Sequence, residues 1–126
     1  PGLGEKQQLK VKQIEDRLLT NRYQPVLWSL IAKDLFFFNP AEGEQLREYL
    51  EAKGTIVPVS EDLYFHRDAI ESAKDLIREY IENNGCITSA EARDLLGSSR
   101  KFVIPLLEYF DAQGLTIRKG NRRVLA

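Results

Sequence analysis

The 126-residue chain has no methionine and only one cysteine, one histidine and one tryptophan. Each scarcity excludes something. The lone Cys86 cannot close an internal disulfide, which suits a reducing compartment and a cytoplasmic protein. With one histidine, His66, and no paired spacing, neither a metal site nor a Cys86–His66 nucleophile–base pair is expected. No apolar run approaches the roughly 18 residues of a membrane span, and no signal-peptide core is present. No Walker-type phosphate loop occurs, so nucleotide hydrolysis is not expected of these residues and no catalytic residue is assigned. The missing methionine leads us to expect a piece of a longer protein, with Pro1-Gly2-Leu3-Gly4 as a linker stub or cloning scar.

What is present is an ordinary folding composition, 43% hydrophobic and 29% charged. It is organised as a repeat. At an offset of 60 residues, Ala32-Lys33-Asp34-Leu35 falls on Ala92-Arg93-Asp94-Leu95, and Ser29 falls on Ser89. Likewise Leu46, Glu48, Tyr49, Ala52 and Gly54 fall on Leu106, Glu108, Tyr109, Ala112 and Gly114. Self-similarity at a fixed period marks a duplicated structural unit, and two copies are too few for a solenoid. Two small domains, 1–65 and 66–126, are expected. A domain of about 60 residues buries roughly 60% of its unfolded surface, enough for a marginal core.

Both units read alike. In the second, Ala69, Ile70, Ala73, Leu76, Ile77, Tyr80 and Ile81 recur at helical spacing and Asn84-Gly85 stops the helix. After the extended Cys86-Ile87-Thr88, Ser89 is expected to cap a second helix that Gly97 ends. A third, carrying Phe102, Val103, Leu106, Leu107 and Phe110, runs to about Gln113. Two strands, Leu115 to Arg118 and Arg122 to Leu125, then flank the hairpin signal Gly120-Asn121. In the first unit the helices are expected near 5–22, 29–37 and 41–53, and the hairpin from Thr55 to Arg67 turns at Glu61-Asp62. The expected fold is mainly α with small β-hairpin wings (α+β): two tandem winged-helix, or helix-turn-helix, domains. Pro105 is a local conflict, because a proline inside a helix removes a hydrogen bond. Either the third helix starts near Phe102 or it starts near Ser98 and kinks; both leave backbone from Ser98 to Lys101 partly unpaired.

Charge separates the copies. Residues 1–84 carry 11 Lys and Arg against 15 Asp and Glu, whereas residues 85–126 carry 7 against 4. Arg100-Lys101 stands where the first copy has Pro40-Ala41, and Arg118-Lys119 where it has Pro58-Val59. A merely solvated face does not predict cations gathered at one helix start and one wing. Ser98 and Ser99 with unpaired amides at a helix N-terminus make a phosphate cradle. There Arg100 can grip a phosphate in bidentate fashion or stack on a base, and Lys101 adds a point charge. Arg118, Lys119, Arg122 and Arg123 supply a second strip, giving roughly five phosphate contacts and a steep salt dependence. These residues do not by themselves separate RNA from DNA.

The run from Gly97 to Asp111, GSSRKFVIPLLEYFD, followed by Gly114 to Arg118 and Gly120 to Leu125, resembles the last winged-helix domain of the bacterial selenocysteine-specific elongation factor family, SelB. The resemblance extends over the chain as that family's two terminal modules. It implies that the second module binds the selenocysteine insertion (SECIS) hairpin of messenger RNA through Ser98, Ser99, Arg100, Lys101 and the basic wing. It also implies that GTP, selenocysteyl-tRNA and ribosome engagement belong to the full-length factor, with no cofactor in these residues. A DNA-binding regulator is the alternative, since winged helices often read duplex DNA; a protein-interaction module is a third reading. The chain is expected to be monomeric and away from membranes.

The first module is expected to be a spacer. Its third helix opens with Pro40, Ala41, Glu42 and Glu44, which would repel phosphate, and the next helix begins near Arg67 with little linker. Trp28 and the Phe36-Phe37-Phe38 run are expected in its core or against a neighbouring module, with one phenylalanine exposed.

Overall fold

Residues 2–126 are described by a computed structural model. Three helices, α1 (Glu5–Thr20), α2 (Trp28–Leu35) and α3 (Pro40–Ala52), lead into an antiparallel hairpin of β1 (Ile56–Ser60) and β2 (Leu63–His66). The pattern then recurs as α4 (Arg67–Asn84), β3 (Ile87–Thr88), α5 (Ser89–Leu96), α6 (Arg100–Ala112), β4 (Thr116–Lys119) and β5 (Arg122–Leu125). The chain divides between Arg67 and Asp68 into two units. Each is a winged helix. In the second, β3 joins the hairpin as a third strand, in the order β3-β5-β4.

The repeat is a repeat of packing. Leu46 and Leu106 are both buried, as are Leu50 and Phe110, and Ile56 and Thr116. Both third helices end alike: Gly54 and Gly114 take positive φ, and the next amide, Thr55 or Leu115, donates to the carbonyl of Leu50 or Phe110. That bond needs a left-handed residue just past the helix, which glycine adopts without steric cost. The first core gathers Ile14, Leu18, Trp28, Ile31, Phe36 and Leu46 around the helices; Ala73, Ile77, Leu96, Val103, Leu107 and Phe110 are buried in the second unit.

Several local expectations are corrected. Helix α5 is capped by Thr88 and not by Ser89: Thr88 Oγ1 accepts from the Glu91 amide at 3.1 Å, and Glu91 Oε1 accepts from the Thr88 amide at 2.8 Å. This reciprocal capping box takes the residue one earlier because Thr88 keeps extended backbone while Ser89 is already helical. Helix α6 starts at Arg100, between the two expected starts near Ser98 and Phe102, with Pro105 in its second turn. The carbonyl that loses a donor to that proline is Lys101, in the first turn. Helix α2 stops at Leu35, since Phe36 leaves the helix to fill the core; a Cβ on the buried Gly43 would lie 2.9 Å from its ring. Two phenylalanines are exposed, not one: Phe37 and Phe38, stacked edge to face.

Candidate nucleic-acid interface

Interface geometry begins at the α5–α6 turn. Gly97, at φ 59°, lets the chain reverse while the Ser98 amide donates to the Arg93 carbonyl at 3.0 Å. Ser98 backbone is therefore already engaged, and the expected cradle begins one residue later. Ser99 is the N-cap of α6, with its carbonyl accepting from the Phe102 and Val103 amides. Its side chain makes no capping bond. The next two residues, Arg100 and Lys101, are exposed, and the first turn contains no acid. Two cations at the positive end of a helix dipole are unfavourable in the free protein. An anion bound there relieves that repulsion. Lys101 Nζ leans over the Phe102 ring at 5.5 Å, which holds its stem along the helix.

Wing geometry sorts the remaining four cations. Arg118 pairs across the hairpin with Arg123, and Lys119 with Arg122. Directly opposed like charges destabilise a hairpin, and paired residues share a face. Arg118 and Arg123 thus lie on one face, Lys119 and Arg122 on the other. Arg123 does not join a phosphate-binding strip. It is 4% exposed, and its guanidinium holds the Asp111 carboxylate through Nε at 3.0 Å and Nη2 at 2.9 Å. The repeat explains why: Arg123 occupies the place of the buried Leu63, so its side chain enters the core and requires an acid there. Arg118 stays exposed, its Nε donating to the Gly120 carbonyl at 2.9 Å.

Arg100 and Arg118 converge on a groove of about 590 Å³ whose other wall is Thr88, Ser89, Ala90 and Asn121. The structure therefore brings Arg100 and Arg118 to one groove, keeps Ser99 and Lys101 beside Arg100 at the start of α6, sets Lys119 and Arg122 on the far face of the wing, and leaves Arg123 in the groove wall, buried and tied to Asp111. Ser89 and Asn121 also line this groove and are not among the site residues expected from the sequence. In the sequence Ser89 shows only as the match of Ser29 and as a candidate helix cap. Beside the groove, the Glu91 carboxyl is held below the usual range by the Thr88 amide and then by the Tyr80 hydroxyl. Tyr80 is raised in turn, chiefly by its bond to Glu91.

Among the described residues of the first unit no comparable groove is found. The first turn of α3 carries Glu42, with Asn39 capping and Pro40 at the first position. Further along, Arg47 is bound by Glu44, Glu51 and Tyr64, so its charge is internally balanced. His66, 3% exposed, bonds Glu15 Oε1 through Nε2 at 2.8 Å. Among the described residues no cluster of metal-ligating side chains is found, and no helix is long and apolar enough to cross a membrane.

Comparison with known proteins follows the same division. Residues 79–125 match the sequence model described as "Elongation factor SelB, winged helix". The selenocysteine-specific elongation factor of Escherichia coli (strain K12) is 38% identical over 73 residues, covering 58% of this chain. That of Desulfomicrobium baculatum is 34% identical over 79 residues, covering 63%. The chain spans 12% of the length of each of these relatives. Among solved structures, the mRNA-binding domain of elongation factor SelB from E. coli, in complex with SECIS RNA, superposes with a TM-score of 0.78 at 28% identity, covering 98% of both chains. A bacterial selenocysteine-specific elongation factor EF-Sec shares the fold, with a TM-score of 0.77 at 19% identity, covering 98% of this chain and 20% of that one. The second unit thus matches a SelB winged-helix sequence, and the fold of the chain is similar along its length to the SelB mRNA-binding domain.

Proposed function

We propose that this chain is the messenger-RNA-binding module of a selenocysteine-specific translation elongation factor, and that its second winged helix binds the SECIS hairpin. The observation that carries the reading is the exposed pair Arg100-Lys101 at an acid-free helix start, in a chain that superposes along its length on a SelB domain bound to SECIS RNA. A-form RNA closes its major groove to a helix, so recognition falls on the phosphate backbone and on looped, unstacked bases. A helix start with open amides and two cations suits backbone contact, and Arg100 can also stack on a splayed base. Lys119 and Arg122 add longer-range attraction.

In this reading the module binds and does not catalyse. GTP and selenocysteyl-tRNA are handled by other parts of the full-length factor, which works on the ribosome in the cytoplasm. The first winged helix serves as a folded spacer, since its third helix starts with an acid and the Arg47 further along that helix is internally paired. The test is binding of the chain to a SECIS-type stem-loop and to a duplex DNA of equal charge at one stated salt concentration. Preference for the stem-loop is expected. Preference for the duplex would make the protein a DNA-binding regulator, and equal weak binding would make it a protein-interaction module.

A further inference from the structure

In the first unit, one carboxylate closes the start of α2. Asp62, in the wing turn, accepts from the Ser29 amide through Oδ1 at 2.9 Å and from the Ser29 hydroxyl through Oδ2 at 2.5 Å. Its own carbonyl accepts from the Trp28 amide at 2.9 Å. Helix α2 has no side-chain cap of its own, and its first turn has no acid. The wing thus delivers an anion to a bare helix N-terminus, where the dipole and open amides favour one. Asp62 even holds a φ of 60°, a strained setting for a non-glycine residue.

The 60-residue offset carries Ser29 to Ser89 and Asp62 to Arg122. Backbone register agrees, because Thr88 pairs with Arg122 where Trp28 bonds Asp62. The hydroxyl donor is kept and the acid is replaced by a base. The capping box of α5 does not fill the vacancy: it engages the amides of Thr88 and Glu91 and leaves those of Ser89 and Ala90, the two between them. Both residues line the groove, which on its other sides presents Arg100 from α6, and Arg118 and Asn121 from the wing. The Glu91 carboxylate, the nearest adverse charge on α5, is turned to the Thr88 amide and the Tyr80 hydroxyl. Arg123, also in the wall, is neutralised by Asp111.

We infer that this groove receives a backbone phosphate of the bound RNA, held by the Ser89 hydroxyl and the Ser89 and Ala90 amides with Arg100 and Arg118 as counter-charges. It takes the place that the Asp62 carboxylate fills in the first unit. Carboxylate and phosphate oxygens are both charged acceptors that a hydroxyl and an amide can grip together. The duplicated fold thus has a helix N-terminus closed from within in one copy and opened to an outside anion in the other. This rests on the RNA-binding reading above and adds to it a contact made by neutral donors.

The test uses the full chain and a SECIS-type stem-loop. Ser89→Ala removes the hydroxyl and should weaken binding roughly tenfold, since a hydrogen bond to a charged partner is lost. The slope of log affinity against log salt should stay unchanged, because no cation is removed. Ser89→Thr, which keeps the hydroxyl, should bind like the parent, and Ser29→Ala should leave affinity unaltered. In a separate titration with inorganic phosphate, the Ser89 and Ala90 amide resonances should shift and saturate. If Ser89→Ala binds within about twofold of the parent while Arg100→Ala still weakens the complex, the groove assignment is overturned and the RNA-binding reading stands. If the parent ignores the stem-loop, that reading fails, and the phosphate titration decides the groove: saturating shifts at Ser89 and Ala90 uphold it, and their absence overturns it.

Discussion

Arg123 and Asp111 tie the wing of the second unit to its third helix: Nη2 of the arginine lies 2.9 Å from Oδ2 of the aspartate, with the arginine side chain almost wholly buried. Thr116, on the neighbouring strand, donates its hydroxyl to Oδ1 of the same carboxylate at 2.6 Å. One carboxylate therefore organises a helix and both strands of the wing. A buried ion pair adds little over a well-packed apolar pair, but removing one partner leaves the other charge uncompensated.

Arg123→Ala should accordingly destabilise the second unit by about 2–4 kcal/mol, reduced from the fully buried case because Asp111 remains partly exposed. Arg122→Ala, one residue away and exposed, should change stability by less than about 0.5 kcal/mol. Denaturant unfolding of the two variants, followed by amide exchange in β4 and β5, checks the contrast. Equal stability would mean that Arg123 does not anchor the wing.

Arg100→Ala should weaken stem-loop binding by roughly 1–3 kcal/mol while the chain stays folded. Truncating Lys119 or Arg122 should cost less and flatten the salt dependence by about 0.7–0.9 per cation removed. Titrations at several salt concentrations separate the two behaviours. A loss at Arg100 that vanishes at high salt would reduce that residue to a point charge.

Binding should be confined to one unit. A fragment beginning at residue 66 should keep most stem-loop affinity, whereas residues 1–65 should show almost none. Reversing the charge of Glu42 in the full chain should leave specific affinity nearly unaltered, because the first unit is not expected to touch RNA. Comparable binding by both fragments, each shown to be folded by circular dichroism, would refute the asymmetry.

Acid should loosen α5 through Glu91. Its carboxyl titrates lower in the folded protein than the ordinary 4.5, held first by the Thr88 amide and then by Tyr80. A carboxyl depressed by folding contributes stability that is complete above its unfolded value and is lost as pH falls through the folded one. The thermal midpoint of the second unit should fall on acidification below about 4.5, and Glu91→Gln should blunt that part of the fall. Carbon-13 titration of the Glu91 carboxyl provides the direct reading; a normal value would remove the linkage.

Much of the fold was legible because its signals are local. Helical spacing of Ile70, Ala73, Ile77 and Ile81, the stops at Gly97 and Gly114, and the Gly120-Asn121 turn each act within a few residues of themselves. Errors fell where neighbours compete. Ser89 and Thr88 are both good caps, and only the backbone angles and the reach of Glu91 choose Thr88. Phe36, Phe37 and Phe38 are chemically identical, so which one is buried depends on where Gly43 opens a space.

By itself the sequence determined the duplication, the charge asymmetry and the location of cations at one helix start and one wing, since these are properties of residue order. Tertiary structure decided which cations are available. A strand turns alternate residues to opposite faces, and its register sets what each must meet. Arg122 and Arg123 are adjacent and alike, yet one meets solvent and the other Asp111. The same holds for Ser29 and Ser89: identical residues at matched positions, one closed by the Asp62 carboxylate delivered from a distant turn and the other facing a basic groove. Such pairings join residues 12 positions apart in one case and 33 in the other, and chain order alone carries no record of which side chain arrives there.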